Sequence, residues 1–241
     1  MPTPVVKQAR PLTSWSFSRY SDYKQCPARF KYKHLEKREE PAGEAIARGR
    51  IIHDAAAAYI KGEGKSAVPS ALQSFAVEFK DLRARYKQRA TATVVVEDDW
   101  AFTREWEPTV WDDWAHCWVR VKLDAAHSPD QRMLHLRDWK TGKLRPELHA
   151  EYLEQLELYA LVALLTFDWV EEVRPELCYL DLGVVYPEVP LIYKRADIPR
   201  LKKLWETRVA PMFKDRLFAP RANSKCRFCH YRKDNGGPCK F

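Results

Sequence analysis

The chain has 241 residues, enough for one domain with a sizeable core or at most two small domains. Lys and Arg outnumber Asp and Glu by 41 − 33 = 8, and a basic balance of this kind favours polyanionic partners such as nucleic acid. No run of about 18 apolar residues occurs and the N-terminus has no apolar signal core, so we expect no membrane span and a cytoplasmic location.

The N-terminal region combines an irregular arm with a short aromatic helix. Residues 1–13 hold three prolines and little periodicity, and we expect them to be extended. Ser16 or Ser18 can cap a helix that ends before Pro27, because a proline disfavours helical geometry in the residue before it. We expect the aromatic side chains here to be core rather than base-stacking groups: Trp15, Phe17, Tyr20, Tyr23 and Phe30.

Two helices are predicted next, over residues 44–61 and 67–89. The first has small residues on one face and ends at Gly62, with His53 in its middle. A lone histidine on a helix is usually a packed or surface group, so His53 is a metal-ligand candidate only in combination with other site residues. The second helix is basic on its outer side, which indicates a solvated face more often than a DNA contact.

The middle of the chain is β-rich. Residues 92–111 predict strands, and Glu97 lies among them without any spacing that compels it to join a site. We expect the tryptophans of this region to wedge the sheet against its helices, because indole rings bury a large apolar area: Trp100, Trp106, Trp111, Trp114 and Trp118.

A pair of strands carries the strongest chemical signal. Residues 117–124 predict a strand that ends at Asp124, and a turn around residues 127–130 leads into a second strand that contains Asp138 and Lys140. Because strand side chains alternate, Asp138 and Lys140 leave the same face, and the hairpin brings Asp124 beside Asp138. Asp138 can hold Mg²⁺ or Mn²⁺ there, while Lys140 polarises or positions a nucleophilic water.

The following segment predicts a crossover helix over residues 151–168, with Gln155 and Tyr159 four residues apart on one face. A loop bearing Pro175 should lead to a strand over residues 176–182, and another amphipathic helix is predicted over residues 197–218, stopped by a proline. Strand, strand, helix, strand predicts an α/β fold in which a mixed central β-sheet is flanked by helices. The alternative for Gln155 and Tyr159 is a packing role alone.

Six cysteines in a cytosolic protein favour metal binding over disulfides. Cys226, Cys229 and Cys239 form a compact C-x2-C-x9-C that needs a fourth ligand from elsewhere, either Cys26 or His230. The spacing alone leaves zinc and iron–sulfur equally open. Cys117 and Cys178 lie in predicted strands, where buried thiols are expected.

Taken together, these motifs resemble the PD-(D/E)xK nucleases of the RecB type. That family has a helical G-x-x-x-H, a strand-end Asp, a D-x-K and a helical Q-x-x-x-Y in this order, and this chain matches them with Gly49/His53, Asp124, Asp138/Lys140 and Gln155/Tyr159. One departure is Val121, which stands where a glycine often precedes the strand-end Asp.

The resemblance implies a restriction-endonuclease-like core and roles for the matched residues. His53, Asp124, Asp138 and the Trp139 backbone carbonyl would hold one or two Mg²⁺ or Mn²⁺ ions. Lys140 would activate or position water, and Gln155 and Tyr159 would contact the DNA phosphate or orient the lysine.

The cysteines extend the resemblance to iron–sulfur members of this family. Ser14–Phe30 resembles their N-terminal segment, in which a serine motif leads to C-P-x-x-F. One N-terminal and three C-terminal cysteines resemble the 4Fe-4S staple of AddB-type and CRISPR-associated RecB-like exonucleases, although the nine-residue spacer departs from it. The implied ligands are Cys26, Cys226, Cys229 and Cys239, with zinc as the alternative.

The sequence therefore predicts a single nuclease domain, with residues 44–219 as its core and residues 1–43 and 220–241 as a stapled helical region. We expect a metal-dependent DNA exonuclease of recombination, repair or phage DNA processing, acting in a bacterial or phage-infected cell, with recombination or single-strand-binding proteins as partners. The alternative is a non-catalytic DNA-binding module with an iron–sulfur or zinc site. No Walker A motif occurs in this sequence, so we expect a nuclease and not a helicase with a nuclease attached.

Overall fold

The computed structural model describes residues 12–41, 43–88 and 93–241, so most of the predicted N-terminal arm lies outside the described residues. The chain divides into two compact units. We call residues 43–204 the central unit, and residues 12–41 with 205–241 the terminal unit. Residues 205–219, which the sequence assigns to the core, thus group with the terminal unit. None of the helices in the described ranges is both long and apolar enough to cross a bilayer.

The central unit contains one seven-stranded mixed sheet, mostly antiparallel. The strands are β1 (Val94–Phe102), β2 (Pro108–Thr109), β3 (Val119–His127), β4 (Met133–Lys140), β5 (Glu172–Tyr179), β6 (Val184–Tyr186) and β7 (Tyr193–Lys194). Six strands lie in the order β2-β1-β3-β4-β5-β6, and β7 also pairs with β5. The β4–β5 pair is parallel and the other pairs are antiparallel.

Helices cover this sheet, as the alternation of strand and helix patterns predicts. Helices α3 (Glu44–Lys61) and α4 (Ala76–Lys87) pack with Trp139 of β4 in one apolar cluster, where the Trp139 and Phe79 ring centroids lie 4.8 Å apart. Helix α5 (His149–Thr166) is the crossover between the parallel strands, and its Leu156 packs against Leu177 of β5. The predicted α/β fold with a mixed sheet is confirmed.

Several predicted boundaries are wrong, each for a local reason. The helix predicted over residues 67–89 is a 3-10 turn (Ser70–Phe75) followed by α4, because Phe75 leaves helical geometry at φ −124°. Pro175 lies inside β5 and not in a loop. It occupies the part of β5 that pairs with β4 alone, between the segments paired with β7 and β6, and a position with one unpaired edge tolerates a proline.

Two more predicted elements end elsewhere. Helix α5 spans residues 149–166 and not 151–168. The last long helix, α6 (Ile198–Lys214), ends four residues before the predicted Phe218. Asp215 follows it and accepts the backbone N–H groups of Leu217 and Phe218, which turns the chain away from the helix axis.

The terminal unit joins the two ends of the chain. Its first helices are α1 (Phe17–Gln25), whose N-cap Ser16 accepts the Arg19 N–H, and α2 (Pro27–Phe30). The predicted capped helix that ends before Pro27 is confirmed. Trp15 stacks on Trp205 of α6 at 5.5 Å, so these rings form a core between the chain ends, as predicted.

Candidate active site

The site begins where strands β3 and β4 diverge. Their ladder pairs Ala125 with Arg137 and ends there, and one further step along the same register sets Asp124 opposite Asp138. The predicted hairpin between these strands is confirmed. Asp124 lies inside β3 and not at its end, since the strand continues to His127 by pairing with β1.

Asp124 holds the diverging strands together. Its Oδ2 accepts the backbone N–H of Trp139 at 2.8 Å, so a side chain replaces a ladder bond at the fork. Trp139 itself is buried among α3 and α4. Because side chains alternate along β4, the indole on one face leaves Asp138 and Lys140 on the other.

A third carboxylate lies opposite Asp124 on β1. The β1–β3 ladder pairs the residues on either side of Glu97 with those on either side of Asp124. Glu97 itself has φ +51°, a left-handed backbone conformation that residues other than glycine rarely adopt. Glu97, Asp124 and His53 each offer one ligand atom, and these atoms lie within 4.8 Å of one another. The site thus offers two carboxylates and an imidazole, a suitable donor set for Mg²⁺ or Mn²⁺.

Helix α3 brings His53 to the strands because its backbone passes close to the turn after β4 at Gly49, one helical turn before His53. A Cβ added at Gly49 would lie 3.3 Å from Thr141 Oγ1 in the turn after β4, tighter than most real contacts. Asp181 fastens the same approach, because its carboxylate binds Arg48 of α3 at 2.6 Å and accepts the Gly142 N–H. His53 Nδ1 then lies 3.2 Å from Asp124 Oδ1.

Lys140 and Asp138 form a buried ion pair that α5 supports. Lys140 Nζ lies 2.6 Å from Asp138 Oδ2 and donates to Gln155 Oε1 at 3.1 Å. The Gln155 amide donates to the Tyr159 hydroxyl at 2.7 Å and to Asp138 Oδ1 at 3.4 Å. Gln155 therefore fixes the lysine and the aspartate together.

Burial and charge act against each other in this cluster. Burial raises the pKa of Asp138, and the Asp124 carboxylate adds to it against the opposing effect of Lys140. Burial disfavours the charged forms of His53 and Lys140, yet their carboxylate neighbours outweigh it and raise both pKa values. The three carboxylates outnumber the ammonium groups of Lys140 and Lys122, and a divalent cation would balance this excess.

The family model described as the PD-(D/E)XK nuclease superfamily matches residues 14–233. The chain belongs to the PD-(D/E)XK nuclease superfamily. No curated protein matches. The solved structure of SSO0001 aligns with 99% of this chain and 90% of its own, at 15% identity and a TM-score of 0.40, a likeness too weak to carry an argument.

The structure of this superfamily member brings together the predicted residues His53, Asp124, Asp138, Lys140, Gln155 and Tyr159. Glu97, which is outside the predicted metal set, groups with His53 and Asp124 as a candidate ligand, and Asp138 pairs with Lys140. Sequence reasoning could not select Glu97, because its position depends on the β1–β3 register and on its own left-handed backbone.

The predicted cysteine ligands also meet, within the terminal unit. Cys26, Cys226, Cys229 and Cys239 line one pocket. Two of the sulfurs accept backbone N–H groups, Cys26 from Arg221 at 3.4 Å and Cys226 from Asn223 at 3.3 Å. Cys117 and Cys178 are buried thiols, as predicted.

Close packing of Gly237 against the backbone of Tyr231 brings Cys239 to this pocket. A Cβ at Gly237 would lie 2.3 Å from the Tyr231 backbone, so only glycine fits there without a shift. This approach lets the Cys239 N–H donate to the Tyr231 carbonyl at 3.0 Å. Asn223 joins the chain ends, since its amide donates to the Gln25 carbonyl at 3.2 Å.

Proposed function

We propose that this chain is a metal-dependent deoxyribonuclease of the RecB-like type that hydrolyses phosphodiester bonds in DNA. The observation that carries the proposal is the meeting of two sets of side chains. One is the His53–Glu97–Asp124 ligand group, and the other is the Lys140–Asp138 ion pair that Gln155 holds. Superfamily members are typically metal-dependent nucleases, and this arrangement suits that chemistry.

The residues divide the work between cation binding and water positioning. His53, Glu97 and Asp124 would hold Mg²⁺ or Mn²⁺, with Asp138 and the Trp139 carbonyl as the further ligands that the family pattern implies. A bound divalent cation neutralises charge that develops on the phosphate. Lys140 would present its ammonium to the attacking water, because Asp138 and Gln155 fix its direction.

The reaction also needs a lysine that keeps its place when DNA binds. The hydrogen bond from the Gln155 amide to the Tyr159 hydroxyl restricts the amide, and this restriction passes to Lys140 through the 3.1 Å hydrogen bond. We therefore propose that Gln155 and Tyr159 act by orienting the lysine. The family resemblance further supports exonuclease action in recombination, repair or phage DNA processing.

We also propose that Cys26, Cys226, Cys229 and Cys239 hold a 4Fe-4S cluster that fastens the chain ends. Their shared pocket and the N–H groups directed at two sulfurs fit thiolate ligands. Four thiolates suit either tetrahedral zinc or an iron–sulfur cluster, and the resemblance to iron–sulfur members of the family favours the cluster.

A nuclease assay on purified protein tests the catalytic proposal. Linear, circular and single-stranded DNA, end-labelled where it has ends, would be incubated with Mg²⁺, with Mn²⁺ or with EDTA. Metal-dependent loss of linear but not circular DNA would support exonuclease action. Binding of DNA without cleavage in either metal would contradict the proposal and support a non-catalytic DNA-binding module.

A further inference from the structure

One tryptophan of the central unit is exposed to solvent. Trp114 lies in the connection between β2 and β3 with 69% of its surface accessible, and the neighbouring Val110 is 70% exposed. In the described ranges the other tryptophans are buried or half-buried. The predicted role of Trp114 as a wedge between sheet and helices is therefore wrong, and its exposed ring needs another explanation.

The side chain of Arg120 holds the ring of Trp114 in place. The guanidinium of Arg120 lies 4.3 Å from the Trp114 ring centroid and 5.6 Å from that of Trp111. Arg120 is itself buried, and its Nε donates to the Trp111 carbonyl at 3.0 Å. A cation–π contact with a buried guanidinium fixes the plane of an aromatic ring and leaves its outer face free to pack on another group.

The backbone that carries Trp114 is fixed as well. The Asp113 carboxylate accepts the Thr109 hydroxyl at 2.8 Å and the His116 N–H at 3.1 Å. The Cys117 N–H donates to the Asp113 carbonyl at 2.8 Å, and the Cys117 side chain is buried. The ring is thus oriented before any partner arrives, which reduces the ordering cost of binding.

The position of Arg120 links this surface to the active site. Arg120 and Lys122 are two apart on β3 and so leave the same face. Lys122 Nζ lies 2.8 Å from Glu97 Oε2, at the ligand group. At about 3.3 Å per residue, Arg120 lies about 13 Å along β3 from Asp124, a span of a few nucleotides.

We propose that Trp114 is a stacking platform for an unpaired base of the DNA strand being cleaved. The inference rests on the proposed nuclease function and names its substrate as single-stranded DNA or a duplex with an unpaired end. Asp112 and Asp113 immediately precede Trp114 in the chain and disfavour a phosphate in this region, whereas the face of a base is uncharged. Lys122, two residues nearer Asp124 along β3, pairs with Glu97 and keeps 57% of its side chain exposed, so it would face the DNA backbone between the ring and the metal ligands.

Affinity measurements with two variants test the platform. Binding of a single-stranded oligonucleotide, an overhanging duplex and a blunt duplex would be measured in the Lys140→Ala background, so that the DNA stays intact. Trp114→Ala should weaken binding of the first two about tenfold or more, because stacking on an aromatic ring contributes substantially per base. Trp114→Phe should retain most of the affinity, and Val189→Ala, at a site 79% exposed, should change nothing.

A series of oligonucleotides with one abasic position each tests the same point without depending on the variant's folding. The protein that retains Trp114 should bind an oligonucleotide less tightly when its abasic position lies a few nucleotides from the cleaved bond. The affinity of the Trp114→Ala variant should not change when the base at that position is missing. Equal affinity of the Trp114→Ala and Trp114 proteins for all DNAs, or an equal loss on blunt and single-stranded DNA, would overturn the platform. Absence of metal-dependent cleavage by the wild-type chain would instead overturn the proposed function.

Discussion

The active site and the cysteine pocket both collect side chains from distant parts of the chain, yet they are built differently. In the central unit, regular strands β1, β3 and β4 and helices α3 and α5 hold the site. In the terminal unit, Cys226 lies in a 3-10 turn and Cys239 in an irregular segment, and both are held by local backbone hydrogen bonds of turns. A site on regular elements can keep its geometry alone, whereas a site on turns needs its ligand to hold it.

The largest expected effect concerns the active site of the central unit, whose geometry should not depend on a bound ligand. Lys140→Ala should lower the rate of metal-dependent DNA cleavage by about 100-fold or more while the fold survives, since a positioned catalytic group contributes at least that much. Steady-state cleavage of end-labelled DNA measures the rate, and a thermal melt checks the fold. Lys143→Ala, at an exposed lysine three residues along the chain, is the matched control. Retention of more than about a tenth of the rate would contradict the assignment.

The next prediction tests whether the cysteine pocket depends on its ligand. Cys26→Ala should remove the absorption near 400 nm expected of an anaerobic iron–sulfur preparation, and it should make the C-terminal tail protease-sensitive, because metal binding at such sites is coupled to folding. Cys117→Ala and Cys178→Ala, at buried thiols outside the pocket, should leave the absorption unchanged.

Three other results would each correct the cysteine proposal in a different way. A colourless protein with one zinc per chain would refute iron–sulfur and keep the shared ligand site. Unchanged metal content and unchanged stability in Cys26→Ala would refute the ligand role of that residue. Loss of absorption in Cys117→Ala would show that the count of thiols, and not the pocket, decides cluster content.

A smaller effect should distinguish the His53–Glu97–Asp124 candidate group from the metal ligands that the sequence predicts. Glu97→Gln should weaken Mn²⁺ binding about tenfold or more in calorimetry, because it removes a carboxylate from the three-residue group. Asp99→Asn, at an exposed acid two residues along β1, is the control. Unchanged Mn²⁺ affinity in Glu97→Gln together with its loss in Asp138→Asn would favour the ligand set that the family resemblance implies.

The sequence predicted the parts of the active site that depend on short-range order. Asp138 and Lys140 share a strand face because of a two-residue period, and Gln155 and Tyr159 share a helix face because of a four-residue period. The prediction that Asp124 lies beside Asp138 depended on a short turn, which sets the register of the hairpin. Glu97 and Trp114 were missed because no local pattern encodes a left-handed residue at 97 or the arginine beneath an exposed ring.

The smallest expected effect concerns the stability of the sheet beyond the active site. His127 of β3 stacks on His135 of β4, with ring centroids 5.2 Å apart, and its buried Nδ1 has no partner within the described part of the chain. Burial, with Arg137, His135 and Arg85 nearby and only Asp81 opposing, lowers the pKa of His127 to about 3. Folded His127 therefore stays neutral where the unfolded chain becomes protonated.

The sign of the pH dependence follows from this difference. Since the unfolded histidine takes up its proton near pH 6.5, the stabilisation is complete above that pH and is lost as the pH falls toward about 3. The free energy of unfolding should decrease by about 1.4 kcal/mol per pH unit in this window through His127. In urea titrations between pH 7 and pH 5, His127→Phe should decrease less steeply than the wild type, because phenylalanine keeps the stack without a titrating group. His116→Phe, at an exposed histidine, controls for the loss of an imidazole, and parallel pH profiles for His127→Phe and wild type would show that His127 already carries its proton in the folded sheet.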